Sequence, residues 1–76
     1  MIRLEKNHKY YSLDMTIDLL GDLVVTCFYG SLKSKHNHTQ THFVTDNLAA
    51  IDKITKIVNL RYKHGYDLLE DTENWL

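Results

Sequence analysis

The clearest pattern in the chain is an alternation. Tyr11, Leu13, Met15 and Ile17 are apolar, and Ser12, Asp14 and Thr16 lie between them. Successive side chains of a pleated strand point to opposite sides, so this period of two predicts a strand with one buried face. Leu20-Gly21-Asp22 then breaks the alternation as a turn, with Gly21 able to supply a positive φ. The run Leu23-Val24-Val25-Thr26-Cys27-Phe28-Tyr29 is β-branched and aromatic, and apolar on both faces. It predicts a central strand covered on both sides. Ahead of these, Ile2 and Leu4 predict a short first strand at a sheet edge. Beyond Gly30 the alternation returns from Lys35 to Val44. His36, His38, Gln40 and His42 fall on one face, and Asn37, Thr39, Thr41 and Phe43 on the other.

The period changes at Thr45-Asp46, which offers an N-cap. Ala50, Ile51, Ile54, Ile57, Val58 and Tyr62 then recur on one stripe of a helix, with Lys53, Lys56, Asn59 and Lys63 on its other side. Lys63-His64-Gly65 closes the helix with cations in its last turn and a glycine just past its end. The order predicts a small α+β domain, an antiparallel β-meander of three to four strands with one C-terminal helix packed across one face. The domain is expected over residues 1–68. Residues 69–76 are expected to be an acidic C-terminal tail that adds at most a helical turn, with Leu69 and Trp75 as anchors.

Seventy-six residues leave room for one domain. A single cysteine, Cys27, rules out an intrachain disulfide and a multi-cysteine zinc site, and suits a reducing compartment. The first residues alternate charge with apolar side chains, unlike a signal peptide, and no apolar run approaches the roughly 20 residues of a membrane span. A cytoplasmic location away from the membrane is the expectation. The net charge of −1 conceals an asymmetry. Asp67, Glu70, Asp71 and Glu73 have no basic residue among them, whereas all nine Lys and Arg lie before residue 67 and outnumber the acids there. That body is only mildly basic, short of the strong patch that marks a nucleic-acid binder by charge alone.

Several segments in order resemble the WGR domain, a module named for its Trp-Gly-Arg signature. It is found in poly(ADP-ribose) polymerases, in molybdate-metabolism regulators and in small free-standing bacterial proteins. Lys9-Tyr10-Tyr11-Ser12-Leu13 resembles the aromatic opening of the family's long strand. Tyr29-Gly30-Ser31-Leu32 stands where Trp-Gly-Arg and an aliphatic residue would be. Phe43 with Thr45 resembles the phenylalanine and cap before the helix, and Ala49 or Ala50 its small residue. Lys63-His64-Gly65-Tyr66 resembles the closing Lys…Gly-Tyr. The resemblance covers most of the chain and departs at the signature, with Tyr29 for Trp, Ser31 for Arg and Lys33 where a second glycine is usual. It implies a non-catalytic binding module whose signature corner touches DNA near a strand end or touches neighbouring domains. A serine hydroxyl does not replace arginine's fork on a phosphate, so the implied DNA contact is weak.

The residues themselves point to the same corner. Tyr29 is a candidate stacking platform for a base, the alternative being an aromatic that packs at the sheet's end. Gly30 lets backbone approach closely, and Ser31, Lys33, Lys35, His36 and His38 continue it as a stretch without a carboxylate. These seven residues are the candidate nucleic-acid site, to which Lys53, Lys56, Arg61 and Lys63 would add if the helix lay beside it. His36, His38 and His42, with Cys27 from a neighbouring strand, raise a zinc reading. A polar, solvated histidine face explains the same pattern, and no metal or other cofactor is assigned. Cys27 reads as a small core residue. With no phosphate loop, serine elbow or carboxylate cluster in the body, no catalytic activity and no small-molecule substrate are expected. The alternative to DNA is a protein partner, or a second copy of the chain, met by the signature corner, the sheet edge or the acidic tail.

Overall fold

The computed structural model describes residues 1–76, and the architecture is the predicted α+β sheet with one helix across one face. Strands β1 (Ile2–Lys6), β2 (Lys9–Ile17), β3 (Leu23–Ser31) and β4 (Asn37–Phe43) precede helix α1 (Asn47–Lys63), and β5 (Asp67–Asp71) follows it. All pairings are antiparallel, in the order β4-β3-β2-β1-β5. The sheet has five strands, one more than the upper expectation. The extra one is β5, which forms where a helical turn was expected and pairs with β1. It displaces β1 from the edge position anticipated for it. The acidic segment is therefore part of the sheet as far as Asp71, and the tail's Trp75 packs against the core.

Helix α1 forms where the apolar period changes. The Asp46 carboxylate accepts the N–H of Ala49 at 2.8 Å, satisfying one of the donors a helix start leaves free. At the other end the N–H of Tyr66 donates to the Arg61 carbonyl and that of Gly65 to the Tyr62 carbonyl. That pair of bonds is the Schellman closure, which needs a left-handed residue, and Gly65 supplies it at φ +89°. The Lys6 ammonium donates to the carbonyl of His64 at 2.6 Å, placing a cation at the negative end of the helix. Gly65→Ala should cost about 1 kcal/mol from the forced positive φ alone, read as a lower urea midpoint at unchanged slope.

The core lies between the sheet and the helix. Ile2, Leu4, Tyr11, Leu13, Val25 and Cys27 from β1–β3 meet Ala50, Ile54 and Val58 from α1. Burying these side chains is the main stabilising term, because each apolar group leaves water for a close-packed interior. The stripe is tilted from its predicted course. Tyr62 is 43% exposed, and Arg61 takes the sheet-facing position of the last turn. The opposite face of the sheet carries no second layer. There β3 is covered on one side, not two, with Phe28 44% exposed, although Val24, paired with Thr16 and Phe43, is buried. No helix is long and apolar enough to cross a membrane.

Candidate nucleic-acid interface

Strand register assembles the site from residues far apart in the chain. Tyr11 pairs with Tyr29, and Lys9 with Ser31, across β2 and β3; Tyr29 pairs in turn with His38 across β3 and β4. Directly opposed residues share a face, so these side chains rise together on the helix side of the sheet. The rings form a row. Tyr11 and Tyr29 stack at 5.3 Å and 11°, and Tyr29 and His38 at 5.2 Å and 23°. The guanidinium of Arg61 lies over the outer face of Tyr11 at 4.9 Å, and 5.8 Å from the ring of Tyr66, which the helix closure holds beside it. The row thus runs from cation to exposed imidazole at the β4 edge.

Beside this row is an open cavity of about 370 Å³. Its walls carry Lys9, Arg61, His36 and His38 as actual or potential cations, Ser31 and Ser34 as hydroxyls, and no carboxylate. Ser31 and Ser34 also shape the rim, their hydroxyls accepting the N–H groups of Lys33 and His36. The Nε of Arg61 is buried without a hydrogen-bond partner. A buried guanidinium donor left unpaired is costly, and Arg61 is among the residues that line the cavity.

Five of the seven sequence candidates line this cavity: Tyr29, Gly30, Ser31, His36 and His38. Lys33 and Lys35 are exposed and lie outside its lining. Tyr29 is not a free stacking platform, since Tyr11 and His38 occupy its two faces. The free ring face at the end of the row belongs to His38. Gly30 does permit close approach, but of the protein's own chain. A Cβ there would lie 2.8 Å from the His36 carbonyl oxygen and 2.7 Å from Asn37 Oδ1, so any side chain at 30 pushes β4 away. Lys9, Tyr11, Ser34, Arg61 and Tyr66 complete the cavity, and of these only Arg61 is offered by the sequence as an extension of the site. Its position was available in the spacing 50, 54, 57, 58, 61, which keeps the helical period.

The histidines of β4 face the helix side, not a separate polar face. His38, Gln40 and His42 oppose Tyr29, Cys27 and Val25 and stay accessible because α1 packs over β1–β3. No three His, Cys, Asp or Glu side chains gather closely enough to hold a metal ion. Burial, with Lys53 adding to it, lowers the pKa of His42. Burial also pushes the Cys27 thiol up, which keeps this fully enclosed side chain protonated and unreactive. The neighbouring Tyr11 hydroxyl is pushed up to about 12 by burial first and by Cys27 second, with Arg61 opposing.

No family model matches the chain, and comparison with curated proteins and with solved structures gives no match.

Proposed function

We propose that this protein is a non-catalytic module that binds nucleic acid weakly, with a phosphate in the cavity beside Arg61 and a base on the outer face of His38. The observation that supports it is a carboxylate-free cavity lined by Lys9 and Arg61, the latter with a buried, unpartnered Nε, beside an aromatic row that ends in the free ring face of His38. Single-stranded DNA or an unpaired strand end fits best, because a base must leave its own stack to reach an aromatic platform. The WGR resemblance points to the same corner. Two firm cations, Lys9 and Arg61, imply a salt slope of only about −1.4 on a single strand and hence weak binding.

Fluorescence anisotropy with single-stranded and 5′-phosphorylated duplex DNA, at two salt concentrations, tests this reading. Lys9→Glu should weaken binding about tenfold or more, whereas Lys33→Glu and Lys35→Glu, outside the cavity, should each cost about threefold or less. Absence of binding at micromolar protein in low salt would end the proposal.

A second reading, a protein-interaction module of the same fold, draws on the opposite end of the sheet. Ile17, Leu19, Leu20, Phe43 and Leu48 are exposed there, Leu19 completely. The Asp18 carboxylate accepts the N–H groups of Leu20 and Asp22 and fixes the loop that displays both leucines. In the same titration, Leu19→Ser with Leu20→Ser should leave DNA binding unchanged, separating the two surfaces.

A further inference from the structure

The two edges of the sheet are built differently. At one edge, β5 carries Asp67, Glu70 and Asp71 among its five residues, and its pairing with β1 is interrupted by a register shift. Charge and irregularity are the usual means by which an edge strand resists pairing with another chain. At the other edge, β4 has seven residues, Asn37-His38-Thr39-Gln40-Thr41-His42-Phe43, with no Lys, Arg, Asp, Glu or Pro. Its register with β3 is continuous from Asn37 to Phe43, so nothing bends it out of the sheet plane. The first five of these residues are exposed, and α1 packs over β1–β3, leaving the outer flank of β4 unobstructed.

We propose that β4 pairs antiparallel with β4 of a second copy of this chain, about a two-fold axis at Gln40, to give one continuous ten-stranded sheet. The sequence of the strand favours a copy of itself over another partner. With Gln40 on the axis, Thr39 of one copy lies opposite Thr41 of the other, His38 opposite His42, and Asn37 opposite Phe43. Every residue of the strand is paired and no carboxylate or ammonium faces its like. Threonines directly opposed on one face are a favourable cross-strand pair. The axis stands perpendicular to the sheet, so both helices and both cavities come to the same side. His42 of the second copy then reaches the ring face of His38 that ends the aromatic row. The floor between the helices would be His38, Gln40 and His42 from each chain. The pairing rests on the edge alone; a phosphate in the cavity leaves it undisturbed, whereas a base stacked on the outer face of His38 competes with His42 of the second copy for that ring face.

Sedimentation equilibrium of the full chain near pH 8, up to about 1 mM, should show a species of twice the 9.0 kDa chain mass. Thr39→Lys with Thr41→Lys puts like charges opposite one another twice and should abolish the dimer, while far-ultraviolet dichroism confirms an unchanged fold. Thr39→Lys with Thr41→Glu puts opposite charges there and should restore it. A chain that sediments at its monomer mass throughout overturns the proposal. So does a double-lysine variant that still dimerises, or a lysine–glutamate variant that does not, since either outcome excludes the register about Gln40.

Discussion

Replacing Arg61 with methionine should reduce DNA binding at least tenfold while leaving the domain as stable as before, or more so. The two effects separate because Arg61 contributes to them by different means. To folding it brings a buried donor without a partner, a cost that methionine of similar reach removes while keeping contact with the Tyr11 and Tyr66 rings. To a bound phosphate it brings a charge-assisted hydrogen bond of about 1.5–3 kcal/mol, equivalent to roughly ten- to a hundredfold in affinity. The salt slope should fall by about one with the lost cation. Anisotropy titrations at two salt concentrations, paired with urea unfolding, measure both quantities. Unchanged affinity in a folded Arg61→Met protein would remove the cavity as the binding site. A loss of stability on the scale of a core truncation would instead make Arg61 a structural residue.

The second large effect is alkaline unfolding. Tyr11 is held neutral because its hydroxyl is buried beside Cys27, and its pKa in the folded state is about 12 against 10.0 in the unfolded chain. Below pH 10 both states carry the protonated phenol and the preference for the neutral form is fully present. Between pH 10 and about 12 the unfolded chain loses its proton first, so stability falls as pH rises. Two units correspond to a loss on the order of 2–3 kcal/mol across that window. Cys27, whose pKa is also raised, adds to the decline from its ordinary value of 9.0 upward. Urea midpoints near pH 8, 10 and 11 should therefore drop steeply for the native protein and less steeply for Tyr11→Phe. Equal slopes in the two proteins would show that this phenol does not titrate with unfolding.

Much of the fold is legible in the residues. β2 and β3 follow from alternation and β-branching, and α1 from its apolar period, its Asp46 cap and its Gly65 stop. These signals are local, so each element states itself. β5 is not legible in this way. Asp67-Leu68-Leu69-Glu70-Asp71 does not alternate, and only the free edge of β1 makes a strand of it, with a register shift to absorb the irregularity. Because β5 takes that edge, β1 becomes internal. The absence of a second layer over the sheet is likewise a fact of the whole assembly. It is why Phe28, apolar enough for a core, stays partly in solvent.

The candidate site divides along the same line. Its centre, the Tyr29–Gly30 corner and the carboxylate-free stretch after it, is readable along the chain, because glycine at a strand end and missing acids are properties of neighbouring residues. Tertiary structure alone decided the site's chemistry. Register brought Lys9 and Tyr11 beside Ser31 and Tyr29, across some twenty residues of chain. The helix's closing turn delivered Arg61 to the ring of Tyr11, and the loop between β3 and β4 leaves Lys33 and Lys35 exposed outside the cavity. A side chain's type is written in the sequence. Whether it meets another depends on which strands pair and in what register, and that is set by burial summed over the whole core.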